Sequence, residues 1–290
     1  MAKVISTINL KGGVGKTQMT VALAEFLATE HNKRVLLIDL DPQTNATVSL
    51  MDETAWLKKD QNGTTLLQLF KDKLEKTSKF NINNAIVKRA SNVGGGIWNL
   101  DLLPSSLGLI EIQDSLPLIS AGRFYVISPV TILKDAISGV LNGYDFVLID
   151  CPPNLGIITL NGIYISDYYL IPCIPDILST YGISQILGRI ENFKQETGIN
   201  ITPLGIIISM YRAQSRLHQS VIQQLRTRAG SLQTDPNWVP RVFNTIIPLT
   251  VKTAEAADFS VTVNTLKQKY GYGTVFNDYT NLTTEFLGYV

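Results

Sequence analysis

Val4-Ile5-Ser6-Thr7-Ile8-Asn9-Leu10 runs directly into Lys11-Gly12-Gly13-Val14-Gly15-Lys16-Thr17-Gln18. The first run is short and rich in β-branched residues, as in a strand buried on both faces of a parallel sheet. The second is a glycine-rich turn. Without Cβ atoms, successive backbone N–H groups can curl around phosphate oxygens. Residues Thr17 to Glu30 then suit a helix, which would point its positive end at the same anion. Strand, loop and helix in that order are what a phosphate-binding loop requires. Lys16 supplies a point charge for β- and γ-phosphates, and the Thr17 hydroxyl is placed to ligate Mg²⁺. The loop departs from the usual G-x-x-x-x-G-K-[ST] pattern, because Leu10 stands where the first glycine is expected. It is opened instead by Lys11 and the Gly12-Gly13 pair, leaving one lysine at each end.

Six further apolar runs follow: Arg34 to Leu40, Trp98 to Leu103, Asp145 to Ile149, Tyr168 to Ile174, Leu204 to Met210 and Val242 to Ile247. Most are almost wholly apolar rather than alternating. Helix-compatible stretches such as Ser184 to Glu196 lie between them. Alternating strand and helix signals predict an α/β fold, a doubly wound, mostly parallel sheet with helices on both faces. Residues 52 to 96 are less regular and rich in Lys, Asn and Gly, and are expected to form a pair of solvated surface helices with loops. No segment reads as a linker, so the chain is expected to be one domain over 1–290.

The chain has 25 Lys and Arg against 24 Asp and Glu, a net charge of +1, which excludes a globally basic DNA-wrapping protein. Apolar residues make up 45% and charged residues 17%, enough for a large core. The mean hydropathy of +0.13 is high for a monomer and hints at a buried oligomer surface. Two cysteines, Cys151 and Cys173, are too few for a disulfide framework and lack metal-ligand spacing. No apolar run reaches the roughly 18 residues of a membrane span, and the first residues lack a signal-peptide pattern. A cytoplasmic protein is therefore expected.

KGGVGKT resembles the deviant Walker A box of the ParA/MinD superfamily of P-loop ATPases. Val35 to Gln43 with Asn45-Ala46-Thr47 resembles that family's second motif, and Tyr144 to Pro153 resembles its Walker B strand and turn. Thr159-Leu160-Asn161, Leu170-Ile171-Pro172 and Val242 to Pro248 resemble segments of ParA-type partition proteins. The resemblance covers essentially the whole chain and is weakest over 52 to 96. It implies a P-loop NTPase fold, with ATP and Mg²⁺ bound by Lys11, Gly12, Gly13, Val14, Gly15, Lys16, Thr17 and Gln18, and adenine near Met210, Tyr211 and Pro248. Asp39 and Asp41 end a buried strand, and their i, i+2 spacing points both carboxylates the same way. By resemblance Asp41 orients the attacking water, Asp39 serves the outer shell of the metal, and Asp150 binds the metal with Thr17. Lys11 reads on residues alone equally as a solvated lysine; the resemblance implies that it reaches the nucleotide of a second subunit. The segment Asn154 to Ile163 is a candidate γ-phosphate sensor.

The implied function is a slow ATPase switch that dimerises on ATP and positions or segregates cargo. It is expected to bind DNA without sequence preference near the nucleoid, and to be released when a ParB-like adaptor stimulates hydrolysis. Between 205 and 252 the cations Arg212, Arg216, Arg226, Arg228, Arg241 and Lys252 face only Asp235. That local concentration suits phosphate contacts, and Arg212, Arg216, Arg226, Arg241 and Lys252 are the candidate DNA-binding residues. Two alternatives use the same fold. A MinD-like membrane switch would end in a basic amphipathic helix, yet residues 270 to 290 contain no Lys or Arg. A metal-cluster carrier or reductase would need bridging cysteines, whereas Cys151 and Cys173 both read as buried.

Overall fold

All seven predicted strand segments form strands, and all join one parallel sheet. The computed structural model describes residues 2–118, 128–235 and 237–290. The strands are β1 (Lys3–Thr7), β2 (Val35–Asp39), β3 (Leu100–Leu103), β4 (Phe146–Asp150), β5 (Tyr168–Cys173), β6 (Thr202–Tyr211) and β7 (Val242–Pro248). Their order across the sheet is β3-β2-β4-β1-β5-β6-β7, and every pairing is parallel. The helices, in chain order, are α1 (Lys16–Thr29), α2 (Asn45–Leu50), α3 (Glu53–Gln61), α4 (Leu66–Glu75), α5 (Ile82–Ala85), α6 (Leu109–Gln113), α7 (Ile132–Ile137), α8 (Ile157–Ile165), α9 (Ile177–Thr197), α10 (Arg216–Ala229), α11 (Val251–Glu255), α12 (Leu266–Tyr270) and α13 (Thr274–Leu287).

The strands lack polar alternation because both sheet faces are covered. Leu36, Ile38, Val147 and Ile149 pack into the layer that holds α4 and α6 to α10. Val35, Leu37, Phe146 and Leu148 pack into the layer of α1, α2, α12 and α13. Helix α1 is buried almost all round, because Phe26 on its outer side stacks against Tyr270, Phe276 and Tyr279. Such a helix shows little amphipathic signal.

Two expectations change. Residues 52–96 hold three helices rather than two, and they are not simply solvated. Leu66, Leu69 and Phe70 of α4 are buried in the core, and Trp56 of α3 donates its indole N–H to the Ser105 carbonyl at 2.9 Å. Strand β1 ends at Thr7, three residues before the expected Leu10. The Asn9 side chain donates to the Pro172 carbonyl at 2.7 Å and accepts from the Lys11 N–H at 2.9 Å. It turns the chain out of the sheet and into the loop. The register aligns Thr7 and Asp39 with Asp150 at the carboxyl edge of the sheet, where open parallel sheets carry their ligands.

Candidate functional site

A cleft of about 510 Å³ opens above that edge, between the glycine-rich loop and α11. Gly12, Gly13, Gly15, Lys16, Thr17 and Gln18 form its floor. Gly13 and Gly15 have φ of +70° and +80°, a conformation that a side chain would strain. Val14 is buried behind the loop, and its carbonyl accepts from Ser209 Oγ at 2.7 Å, which ties the loop to β6.

Lys16 is buried, and its Nζ reaches the Lys11 carbonyl at 3.4 Å. Burial holds its pKa below the ordinary lysine value, while Asp150 and Asp41 push it back up. Asp150 lies beneath Lys16, fully buried. Thr20 donates to Asp150 Oδ1 at 3.3 Å, but Oδ2 is buried with no hydrogen-bond partner. Burial raises the Asp150 pKa to about 7, opposed by Lys16 and by the Thr17 hydroxyl, which faces the carboxylate without completing a hydrogen bond, and reinforced by Asp41. A buried carboxylate oxygen without a donor is costly, and a hard cation would satisfy it. Among the described residues no three His, Cys, Asp or Glu side chains are grouped as a metal cage. A cation here would take few protein ligands and complete its shell with water and phosphate oxygens, the habit of Mg²⁺. Thr17 and Asp150 fit that ion.

Asp39 and Asp41 do not share a direction. Strand β2 stops at Asp39, so strand alternation does not extend to Asp41. Asp39 Oδ2 accepts from the Thr47 N–H and hydroxyl at 2.8 and 2.7 Å, and Oδ1 accepts from the Asp41 N–H at 3.0 Å. It is fully buried, and that burial together with Asp150 raises its pKa well above the carboxylate range. Asp39 therefore builds the turn with both oxygens engaged by donors of the chain, close to Asp150 and behind the cleft lining. Asp41 lines the cleft and accepts from the Gln43 N–H at 2.9 Å.

Lys11 lies outside the cleft lining, in an ion pair with Asp176 at 2.6 Å, and Ser179 Oγ is 3.4 Å away. Against the pull of burial, Lys11 and Ser179 hold Asp176 below its ordinary pKa. Asp176 also caps α9 through the Ser179 N–H at 2.7 Å. Beside it Ile177, Leu178 and Tyr181 are 57%, 74% and 70% exposed.

At the far end of the cleft the expected Met210 is present, with φ +50°, whereas Pro248 and Tyr211 do not line it. The chain leaves β7 at Pro248 and passes over the cleft as α11, so Thr253, Ala256, Ala257 and Tyr270 form the wall. The Thr250-x-x-Thr253 cap was a readable sign of that helix; nothing local marked Tyr270. Asn161, within the candidate sensor segment Asn154 to Ile163, is a buried brace. It accepts from the Leu133 N–H at 3.0 Å and donates to the Pro129 and Ile157 carbonyls at 2.7 and 2.9 Å. Asn154 caps its own turn through the Gly156 N–H at 2.8 Å.

All five candidate DNA-binding residues, Arg212, Arg216, Arg226, Arg241 and Lys252, are exposed. Arg241 stacks over the Tyr289 ring at 4.3 Å, and Lys252 pairs with Glu255 at 2.7 Å. Both cysteines are free and buried, and burial raises both thiol pKa values. No described helix is long and apolar enough to cross a membrane.

A family model described as an AAA domain (AAA_31) matches residues 2–202. The chain is 30% identical over 265 residues to the chromosome-partitioning ATPase Soj of Treponema pallidum, covering 91% of this chain and 90% of that one. It is 30% identical over 256 residues to the sporulation initiation inhibitor protein Soj of Bacillus subtilis, covering 88% of each. Among solved structures it superposes with a TM-score of 0.68 on cobyrinic acid a,c-diamide synthase of Mycobacterium smegmatis with bound ADP and magnesium. The two are 28% identical, covering 89% of this chain and 91% of that one.

Proposed function

The chain belongs to the ParA/Soj-type partition ATPases of the AAA-domain family, and on that premise we propose that it is an ATP-gated switch whose cleft binds Mg-ATP and hydrolyses it slowly. The observation that carries this reading is the orphaned Asp150 oxygen beneath Lys16 and Thr17. A cation between Asp150 and phosphate oxygens would neutralise charge that develops during transfer. The backbone of Gly12 to Gln18 cradles the polyphosphate, and Lys16 meets its terminal oxygens. Asp41, held by the Asp39 turn, orients the attacking water. Among the described residues no strong base lines the cleft, which fits a slow intrinsic rate.

The gating follows from Lys11. Its ion pair with Asp176 sits beside the exposed Ile177, Leu178 and Tyr181, an apolar patch suited to a second copy of the chain. In the ATP-bound dimer Lys11 leaves Asp176 and reaches the phosphates of the partner's nucleotide. The dimer then binds duplex DNA through the exposed Arg212, Arg216 and Arg226, with Arg241 and Lys252 at the margin. An adaptor protein releases it by stimulating hydrolysis. Buried cysteines disfavour the metal-cluster alternative.

Turnover by the Lys16→Ala and Asp41→Ala variants tests the chemistry: both should fall at least about a hundredfold, and unchanged rates would reject the assignment. Binding to a random-sequence duplex with ATP, ADP or no nucleotide, at two salt concentrations, tests the switch. Salt-weakened binding with ATP alone supports it; intact turnover without any DNA binding removes the DNA reading.

A further inference from the structure

The cleft has a cover that is tied down by two side-chain amides, its apolar contacts being confined to Ala256 and the half-buried Phe259 and Val263. Residues 249–263 leave β7, form α11 and cross the end of the cleft opposite the phosphate loop. Their ends are pinned by backbone bonds, Leu249 N–H to the Tyr211 carbonyl at 3.0 Å and Gly94 N–H to the Val263 carbonyl at 2.7 Å. Between those pins Ala256 is the one buried apolar side chain. Val251 is 74% exposed and Val261 55% exposed. Such a segment has little apolar area to hold it closed and belongs to the low-stability end of the fold.

The ties are polar. Gln18, on the first turn of α1, donates its amide to the Thr253 carbonyl. Asn92 donates to the Asp258 and Val261 carbonyls at 3.1 and 2.7 Å. Thr253, Ala256 and Ala257 of this segment wall the cleft, and Gln18 lines it. Asn92 is outside the lining, so it acts on the cleft only through the cover.

We propose that residues 249–263 are a lid over the nucleotide, latched by the amides of Gln18 and Asn92, and that its opening sets the rate of nucleotide release. The proposal rests on the Mg-ATP reading of the cleft. Closing the lid commits the protein to a bound nucleotide, and breaking either stitch shortens that commitment.

The test uses the full chain and two variants, Gln18→Met, which keeps length but removes the donor, and Asn92→Ala. Hydrogen exchange of the nucleotide-free proteins should show faster exchange at amides 251–261 in both variants. Release of a ribose-labelled fluorescent ATP analogue, followed by stopped flow with excess unlabelled ATP, should be about five- to tenfold faster in both. Release at the wild-type rate in Asn92→Ala, or unchanged exchange across 251–261 in both variants, overturns the lid. If the wild type does not bind the analogue at all, the Mg-ATP reading fails, and with it the role in release.

Discussion

Helix α1 borders two buried carboxylates, and they are treated in opposite ways. Glu25, in the body of the helix, accepts from Lys269 Nζ at 2.7 Å, from the Tyr270 hydroxyl at 2.8 Å and from the Ser91 hydroxyl. The Glu25 and Lys269 side chains are 0% and 2% exposed. Asp150, under the amino end of the same helix, has one oxygen near Thr20 and the other without any donor. A buried charge that its own chain neutralises is architecture. Glu25 clamps α1 to α12 and to the loop at Ser91. A buried carboxylate left open, beneath a loop with the glycines and lysine of a phosphate cradle, is what the proposed Mg-ATP site would use.

Breaking the closed site should have the largest effect. Glu25→Ala strands a buried ammonium and should lower unfolding free energy by about 3–5 kcal/mol, measured by denaturant titration. The double replacement Glu25→Leu with Lys269→Met removes both charges and should recover most of that loss; failure to recover would show that Glu25 does more than close the site. Asp150→Asn should do the reverse, raising the stability of the nucleotide-free protein by roughly 1–3 kcal/mol at pH 8 while Mg-dependent ATP turnover collapses. A destabilised Asp150→Asn would show that Asp150 is a structural brace like Glu25.

The same contrast has a pH signature. The Asp150 pKa stands near 7 in the folded chain, above its unfolded value of about 3.9. Its contribution is therefore fully present below about pH 4 and is lost as pH rises through 7. The stability advantage of Asp150→Asn over wild type should grow between pH 4 and 7 and level off above; a flat difference would mean that the carboxylate ionises normally. The smallest effect belongs to the half-exposed Lys11–Asp176 pair. Asp176→Ala should change stability by less than about 1 kcal/mol yet lower the ATP concentration at which dimers form, read by light scattering. An unchanged ATP requirement would show that the pair does not restrain Lys11.

The sheet was legible because strands buried on both faces appear as uninterrupted apolar runs, and all seven were found within a few residues. The phosphate loop was legible because its requirements are local: glycines, a lysine and a threonine between a strand and a helix. The site was less so where position depends on a distant element. Spacing put Asp39 and Asp41 together, but the end of β2 and the Thr47 bonds separate them. Arg241 counts as a free cation in sequence but stacks on Tyr289, 48 residues further on. Helix α9 starts at Ile177, before the expected Ser184, because Asp176 caps it.

Local chemistry along the chain thus determined the parallel sheet, the glycine-rich loop and the aspartates at the strand ends, since backbone propensity and apolar periodicity act over a few residues. Tertiary structure alone decided which aspartate faces the cleft, which carboxylate is left open, where Lys11 rests and which segment walls the cleft. Each of those depends on a bond between groups far apart in sequence. Lys11 with Asp176, Gln18 with Thr253 and Glu25 with Lys269 exist only because the sheet and its helices bring them within hydrogen-bond reach.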